Sequence, residues 1–158
     1  MIILGIDPGT AITGYGIIKK TSKSLKVIEY GQINTSKDTN HEIRLKEIYN
    51  EITKLLNKHK PDILAVEKLF FFKNAKTLIP VSQSRGIVLL AGAKKNIPIY
   101  EFTPLQVKLI ITGYGRADKK DVQKQIKKIL KLKEIPRPDD VADALGVALT
   151  CVDHLTKT

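Results

Sequence analysis

Four acidic residues lie next to apolar segments, where an ionised carboxylate is unfavourable unless something stabilises it. Asp7 and Glu67 each follow directly on a short apolar run. Asp140 and Asp143 lie three residues apart at the start of a long apolar segment, a spacing that puts two side chains on one face of a helix. A carboxylate next to buried residues is costly unless it is paired or binds a metal ion. The four residues are therefore candidates for a common site.

Four carboxylates brought together would repel one another unless cations neutralised them. Oxygen ligands of this kind suit hard divalent cations, Mg²⁺ first. Two such ions about 3.5–4 Å apart can assist an in-line displacement at phosphorus. Asp7 has a second interpretation, because Asp before Pro8-Gly9 is ordinary turn chemistry. The opening segment alone leaves both interpretations open.

The charge of the chain points to a polyanionic partner. It has 158 residues, 42% of them apolar, and a net charge of +11 from 27 Lys and Arg against 16 Asp and Glu. A small, folded, strongly basic protein usually binds nucleic acid. A lysine-rich surface that only confers solubility, as in thermophile proteins, is the alternative. The length predicts a single domain over residues 1–158.

Several other classes of protein are disfavoured. The single cysteine, Cys151, cannot form an internal disulfide. The longest apolar run, Ile87 to Ala93, is far shorter than the roughly 20 residues that span a membrane. The N-terminus lacks the features of a signal peptide. The sequence thus predicts a cytoplasmic protein without a membrane partner.

The first half of the chain predicts the elements that would place two of the acids. Residues 2–7, 12–20 and 25–34 have the pattern of three strands joined by short turns, which favours an antiparallel meander. Residues 40–58 have helical spacing, with capping-box residues Thr39 and Glu42 before them. Residues 62–67 follow as a strand, made parallel by the helical crossover. Parallel neighbours would carry Asp7 and Glu67 to one edge of the sheet.

The second half combines small, aromatic and basic segments. Exposed rings of Phe70–Phe72 would suit base stacking, whereas core packing is the alternative. Residues 81–95 predict a helix, with Pro80 in its first turn or, if the helix begins earlier, at a kink. Residues 97–102 predict a strand, and a short helix opens at Thr103-Pro104 and runs to about Ile111.

The last two helices carry the remaining charge. Residues 118–132 predict a basic helix in which Lys119 and Lys120, beside a glycine loop, are the better phosphate candidates. The final helix begins at Asp139 or Asp140, and Asp139 is interpreted as its N-cap. Asp143 is harder to explain as a capping residue, because it lies among apolar and small residues.

Five segments, taken in order, resemble one known family. GIDPGTAITGYG, the acid of AVEKLFFFKNA, SQSRG, TPLQVKLIITGYGRADK and DDVADALGVAL are similar to the RuvC family of Holliday junction resolvases. The resemblance extends from Ile3 to about Val152, and the motifs are highly specific as a set. The opening DPG alone would not be.

The resemblance implies an α/β, ribonuclease-H-like fold, with a central mixed five-stranded sheet flanked by helices. It implies a homodimer that makes paired nicks across four-way junction DNA, cooperates with the RuvA–RuvB branch-migration motor, and leaves 5′-phosphate and 3′-hydroxyl ends. Asp7, Glu67, Asp140 and Asp143 would be the catalytic ligands of two Mg²⁺ ions, with Mn²⁺ able to substitute.

The resemblance also implies a set of DNA contacts, with Thr10 and the DPG turn beside the metal ions. Phe70 matches the aromatic residue inserted near the crossover, although the triplet leaves Phe71 as an alternative. The candidate DNA-binding residues are Phe70, Phe71, Lys73, Arg85, Lys108, Arg116, Lys119 and Lys120.

Three other functions compete with this one. A YqgF-like nuclease of ribosomal RNA processing has a similar opening strand and turn, but the aromatic segment and the QVK…GRADK segment argue against it. A sugar-kinase-like or actin-like ATPase needs two such domains, which 158 residues cannot supply. A junction-binding protein without catalysis would not need the four acids.

Overall fold

A five-stranded mixed sheet forms the centre of the molecule. The computed structural model describes residues 1–69 and 75–157. Its strands, in chain order, are β1 (Ile2–Asp7), β2 (Ile12–Lys20), β3 (Leu25–Asn34), β4 (Ile63–Glu67) and β5 (Ile99–Phe102). Its helices are α1 (His41–His59), α2 (Ala75–Lys94), α3 (Pro104–Thr112), α4 (Lys119–Ile129) and α5 (Asp139–Lys157).

The strand order is β3-β2-β1-β4-β5. Strands β1, β2 and β3 pair antiparallel, which confirms the predicted meander. Strand β4 pairs parallel with β1 on one side and with β5 on the other. The crossover through α1 therefore places β4 as predicted, and the sheet confirms the expected ribonuclease-H-like arrangement.

Helices cover both faces of the sheet. Helices α1 and α2 pack on one face, where Ile48, Ile52 and Val88 join the side chains of Leu4 and Ile6. Helices α3, α4 and α5 pack on the other face. Helix α5 is the central element of that layer, because it contacts the sheet through β1 and β2 and also contacts α3 and α4. Its first turn is thus held from both sides.

Two helix starts differ from the sequence prediction. The capping box of Thr39 and Glu42 is wrong, since Asn40 is the N-cap of α1 and makes no side-chain capping hydrogen bond. Helix α2 begins at Ala75 rather than near residue 81, so Pro80 lies inside it. Proline lacks an N–H donor but has helical φ, and one missing hydrogen bond does not end a helix that packs against α1.

The segment from α3 to α4 is strongly capped. Thr103 and Gln106 form a reciprocal capping box at the start of α3, and Gly113 ends α3 in the left-handed conformation with φ of 76°. Asp118 caps α4 by accepting a hydrogen bond from the Asp121 N–H at 2.8 Å. Helix α4 ends at Ile129, three residues earlier than predicted. Across the ranges 1–69 and 75–157, no helix has the length and apolar character needed to cross a membrane.

Candidate active site

Asp7 and Glu67 meet at the carboxyl edge of the sheet. Ile6 pairs with Val66 in the parallel register of β1 and β4, so the next residues on each strand are the two acids. Both side chains line one cavity, and the neighbouring carboxyl of Glu67 adds to the raised pKa of Asp7. The predicted convergence of these two side chains is therefore confirmed.

The start of α5 brings the other two acids to the same place. Gly14 of β2 pairs with Asp7 across the antiparallel ladder. A Cβ atom on Gly14 would overlap the backbone carbonyl of Asp140, so α5 rests directly on this glycine. This close approach puts the first turn of α5, with Asp140 and Asp143, beside the end of β1.

One cavity of about 410 Å³ has all four acids in its wall. Pro8 of the turn after β1 also lines it, together with Lys108 of α3 and Lys119 of α4. Thr10, expected beside this site, instead places its hydroxyl 3.1 Å from the Ser84 hydroxyl on α2. A larger cavity of about 700 Å³ lies between β3 and α1 and includes none of the four acids in its lining.

The surroundings of the cavity oppose ionisation of the acids that line it. Burial raises the pKa of Asp7 well above its ordinary value, and the neighbouring carboxyl of Glu67 and the charges of Asp143 and Asp140 raise it further. Burial also raises the pKa of Asp143, although the hydrogen bond from Lys119 opposes this. Burial is the main cause of both shifts, and the neighbouring carboxylates add to it, so a bound cation would favour the ionised form of both groups.

Lys119 supplies part of the positive charge. Its Nζ donates a hydrogen bond to Oδ2 of Asp143 at 2.9 Å and lies 3.4 Å from Oδ2 of Asp139. Burial lowers the pKa of Lys119, but the hydrogen bond and charge of Asp143, with those of Asp139, outweigh it, and the net pKa is raised. Lys119 was predicted to contact phosphate, and in this structure it contacts the acids.

Asp139 does not have the capping role expected of it. It is the first residue of α5, and its Oδ1 accepts hydrogen bonds from Gln123 Nε2 at 3.0 Å and from Arg137 at 2.8 Å. The Gln123 hydrogen bond is the largest cause of its lowered pKa. Asp139 therefore links α4, the preceding turn and α5 around Lys119.

The acids are near one another but do not form a complete metal cage. Within the described ranges, no group of three or more His, Cys, Asp or Glu side chains stands in a metal-binding geometry. Asp143 is paired instead with Lys119, whose Nζ lies 2.9 Å from its Oδ2. The donor set itself is all-oxygen and fits a hard divalent cation.

The remaining DNA-binding candidates divide into three groups. Phe70, Phe71 and Lys73 lie outside the described residues. Arg116 and Lys120 are exposed, and Lys108 lines the cavity. Arg85 does not extend into solvent, because it forms an ion pair with Glu101 on β5.

One residue of the cavity wall was missed by reasoning from sequence patterns. Lys68 lines the cavity and is exposed. Its position directly after Glu67 is the signal that could have identified it. It adds a further positive charge to the cavity wall.

The sequence matches the family described as crossover junction endodeoxyribonuclease RuvC over residues 3–151. A protein of that name from Fusobacterium nucleatum is 52% identical over 155 residues, covering 98% of this chain and 82% of the relative. Another, from Halothermothrix orenii, is 53% identical over 149 residues, covering 94% and 90%.

Solved structures show the same similarity. The structure of Thermus thermophilus RuvC in complex with a Holliday junction substrate superposes with a TM-score of 0.93 at 32% identity, covering 99% of this chain and 96% of that one. The yeast mitochondrial Holliday junction resolvase Ydc2, at 14% identity and a TM-score of 0.65 over 94% and 77% of the two chains, shares the fold.

Proposed function

This chain belongs to the RuvC family of crossover junction endodeoxyribonucleases, and from that premise we propose that it resolves four-way (Holliday) DNA junctions in recombination and repair. The reaction is hydrolysis of a phosphodiester at symmetric positions in two strands. Water attacks phosphorus, the bond to the 3′ oxygen breaks, and the products are a 5′-phosphate and a 3′-hydroxyl. The observation that carries this function is the group of four acids around one cavity with a lysine at its edge.

We assign Asp7, Glu67, Asp140 and Asp143 as the residues that hold the metal ions. Oxygen-only ligands favour Mg²⁺, with two ions per site, and Mn²⁺ should substitute for it. When bound, two such ions supply the positive charge that favours attack of water on a phosphodiester. The raised pKa of Asp7 supports the assignment, because burial and neighbouring carboxyls oppose its ionisation until a cation is present.

The chain's own residues orient the substrate. Lys119 pairs with Asp143, and its ammonium group at the edge of the cavity can donate a hydrogen bond to the scissile phosphate. Lys108 lies in the same cavity wall and supplies a second positive charge. Pro8, which is buried in the turn after β1, adds no polar group that would compete with the phosphate.

We also propose that the active form is a homodimer, since paired nicks need two sites. Helix α2 has exposed apolar side chains at Ile79 and Leu90, 68% and 50% exposed. A groove of about 410 Å³ at Leu90 is also lined by Leu89, Ala93, Ile99 and Glu101. A helix that is apolar on its outer side is usually covered by another element. A second copy of α2 would cover it.

Four further assignments complete the proposal. Residues 1–158 act as a single nuclease domain. The location is cytoplasmic, where bacterial recombination takes place. The RuvA–RuvB branch-migration complex is the expected partner. We assign DNA contacts to Lys108, Arg116, Lys119 and Lys120. Phe70, Phe71, Lys73 and Arg85 remain predictions.

Mapping of cuts on a denaturing gel tests the function directly. A synthetic four-way junction, labelled in turn on each strand, is incubated with Mg²⁺ or with chelator, beside linear duplex and a structured RNA. We expect symmetric cuts in two opposite strands with Mg²⁺ only. Preferential cleavage of the RNA would favour the YqgF-like alternative, and tight binding without cleavage would favour a junction-binding protein.

A further inference from the structure

Three exposed apolar side chains lie on α3 and in the turn that follows it. Leu105, Leu109 and Tyr114 are 57%, 53% and 60% exposed. Leu105 and Leu109 are one helical turn apart on α3. Gly115 lies so close to Leu105 that a Cβ on it would be 2.9 Å from Leu105 Cδ1. The turn after α3 thus folds back beside Leu105, and we call Leu105, Leu109 and Tyr114 the apolar shelf.

The backbone that carries Tyr114 is held in place although its ring is exposed. The Tyr114 N–H donates a hydrogen bond to Thr112 Oγ1 at 3.1 Å. Its carbonyl accepts from the Ala117 N–H at 3.0 Å and lies 3.0 Å from Thr112 Oγ1. An aromatic ring on a fixed backbone loses little conformational entropy when it binds a partner. This combination is typical of a recognition residue rather than of an incidental surface residue.

The charges around the apolar shelf select its partner. Residues 104–120 contain four basic side chains, Lys108, Arg116, Lys119 and Lys120, and one acid, Asp118. The carboxylate of Asp118 already accepts a hydrogen bond from the Asp121 N–H as the cap of α4. A second copy of a chain with a net charge of +11 would be repelled by such a surface. A polyanion with exposed flat rings would be attracted to it.

The apolar shelf is within reach of a strand bound in the active site. Pro104 and Lys108 of α3 line the cavity, and Lys119 contacts Asp143. Tyr114 precedes Lys119 by five residues, which span at most about 18 Å when fully extended. That distance corresponds to roughly five base steps along a DNA strand.

We propose that the apolar shelf binds an unstacked nucleobase of the junction, with the Tyr114 ring against the base and Leu105 and Leu109 against its edge and sugar. The proposal rests on the junction-resolving function and adds a binding subsite to it. A four-way junction offers such bases near the point where strands exchange, whereas linear duplex keeps its bases stacked. The apolar shelf would therefore help to select a junction over duplex.

Binding of a fluorescent base analogue tests the subsite. Four-way junctions with 2-aminopurine at successive positions within five bases of the exchange point are titrated in chelator, which prevents cleavage. The proteins compared are wild type, Tyr114→Phe, Tyr114→Ala and, as a control, Tyr30→Ala on β3, where the ring is 41% exposed. Loss of an aromatic stack should weaken binding about 5- to 100-fold.

We expect the 2-aminopurine signal of one position to change on binding of wild type, Tyr114→Phe and Tyr30→Ala, and to stay unchanged with Tyr114→Ala. Tyr114→Ala should also bind the junction less tightly while its affinity for linear duplex is kept. Equal affinity and signal for Tyr114→Ala and wild type would overturn the proposal. So would an equal loss of duplex affinity, which would mean a general DNA contact.

Two further measurements distinguish a base subsite from a subunit contact and from a failure of the proposed function. Leu105→Ser should weaken junction binding as Tyr114→Ala does, and its sedimenting mass should equal that of wild type. A change in sedimenting mass would mean that the apolar shelf is a subunit contact, which would overturn the proposal. If wild type itself showed no preference for junction over duplex, the proposed function would fail. An undiminished junction preference in Tyr114→Ala would refute the subsite alone.

Discussion

Asp7 is largely buried beside other carboxylates and has a proposed catalytic role. It ends β1 and lines the cavity with Glu67 and the α5 acids. Asp7→Asn keeps the size of the side chain and removes its charge, so junction binding should persist while cleavage falls by at least about 100-fold, since even loss of an outer partner of a metal ligand costs 10- to 100-fold. Gel-shift titration and single-turnover cleavage with Mg²⁺ measure the two effects. Cleavage at the wild-type rate would remove Asp7 from the metal site.

The raised pKa of Asp7 has a consequence for stability without metal ions. In the unfolded chain this carboxyl ionises near its ordinary pKa of 3.8, whereas in the folded protein it keeps its proton to higher pH. The folded state therefore binds more protons between the two pKa values. The resulting stabilisation is complete below the unfolded pKa and is lost as the pH rises through the folded pKa.

Thermal melting in chelator over pH 4–8 measures this effect. Wild type should lose stability relative to Asp7→Asn as the pH rises, by about 1.4 kcal/mol for each unit of the pKa shift. Mg²⁺ at the upper end of the range should reverse the order of the two proteins. If the stability of both proteins changed equally with pH, the pKa of Asp7 would not be raised in the folded protein.

Lys119 and Lys120 offer a matched pair of adjacent lysines. Lys119 contacts Asp143 and Asp139, whereas Lys120 is exposed. Lys119→Ala should reduce the rate of cleavage about 10²- to 10³-fold, as for loss of one preorganised donor to a developing charge. Lys120→Ala should leave the cleavage rate of bound junction unchanged. It should lower only the affinity for junction DNA and the salt dependence of that affinity. Single-turnover rates at saturating protein distinguish the two, and equal effects would contradict a specific role for Lys119.

At the scale of elements, the packing of α5 on strand glycines positions the acids, and Gly14 and Gly16 offer a matched comparison. A Cβ on Gly14 would overlap the backbone of Asp140, whereas a Cβ on Gly16 would first meet Leu145 Cδ2 at 2.5 Å. A side chain can rotate away, but a helix backbone must shift as a unit. Gly14→Ala should therefore cost about 1–3 kcal/mol of stability and about 10²-fold in cleavage through misplacement of Asp140.

Gly16→Ala should lose stability with a smaller loss of cleavage. Urea unfolding and single-turnover cleavage of both variants test the comparison. If Gly14→Ala cleaved as well as Gly16→Ala at equal folded fraction, contact between β2 and the first turn of α5 would not position the site.

Sequence patterns predicted the elements whose signals are local. The meander, the parallel β4 and the meeting of Asp7 with Glu67 follow from alternation, turn residues and the crossover rule. The predicted start of α2 is wrong because Pro80 is also a typical first-turn residue, and only packing decides between the two positions. The capping role predicted for Asp139 is wrong because its carboxylate binds Arg137 and also Gln123 on α4, which is 16 residues away along the chain.

The electrostatic pairs of the site could not be predicted for the same reason. Lys119 and Asp143 are 24 residues apart, and Arg85 and Glu101 are 16 apart. Sequence periodicity describes one helix or strand at a time, so it does not predict contacts between residues on different elements. The approach of α5 to Gly14 is likewise a tertiary property, since a glycine within a strand can serve a bulge, a bend or a close contact, and the sequence does not distinguish them.

At the scale of the whole molecule, two surfaces of similar apolar character have different proposed partners. Leu90 on α2 and Leu109 on α3 are 50% and 53% exposed. Leu90 borders the groove between α2 and β5, whereas Leu109 belongs to the apolar shelf among basic residues. A protein–protein contact should therefore depend on Leu90 and not on Leu109.

A charge at each position tests this division. Wild type should sediment at about twice its chain mass of 17.6 kDa. Leu90→Glu buries a charge in the proposed subunit contact and should sediment as a monomer, because an unpaired buried charge costs several kcal/mol. It should also lose paired cleavage of the junction, since a monomer carries one site. Leu109→Glu should remain a dimer and bind the junction less tightly, because the new charge repels phosphate near the apolar shelf. Dissociation of Leu109→Glu, or a dimeric Leu90→Glu, would show that the subunit contact lies elsewhere than on α2.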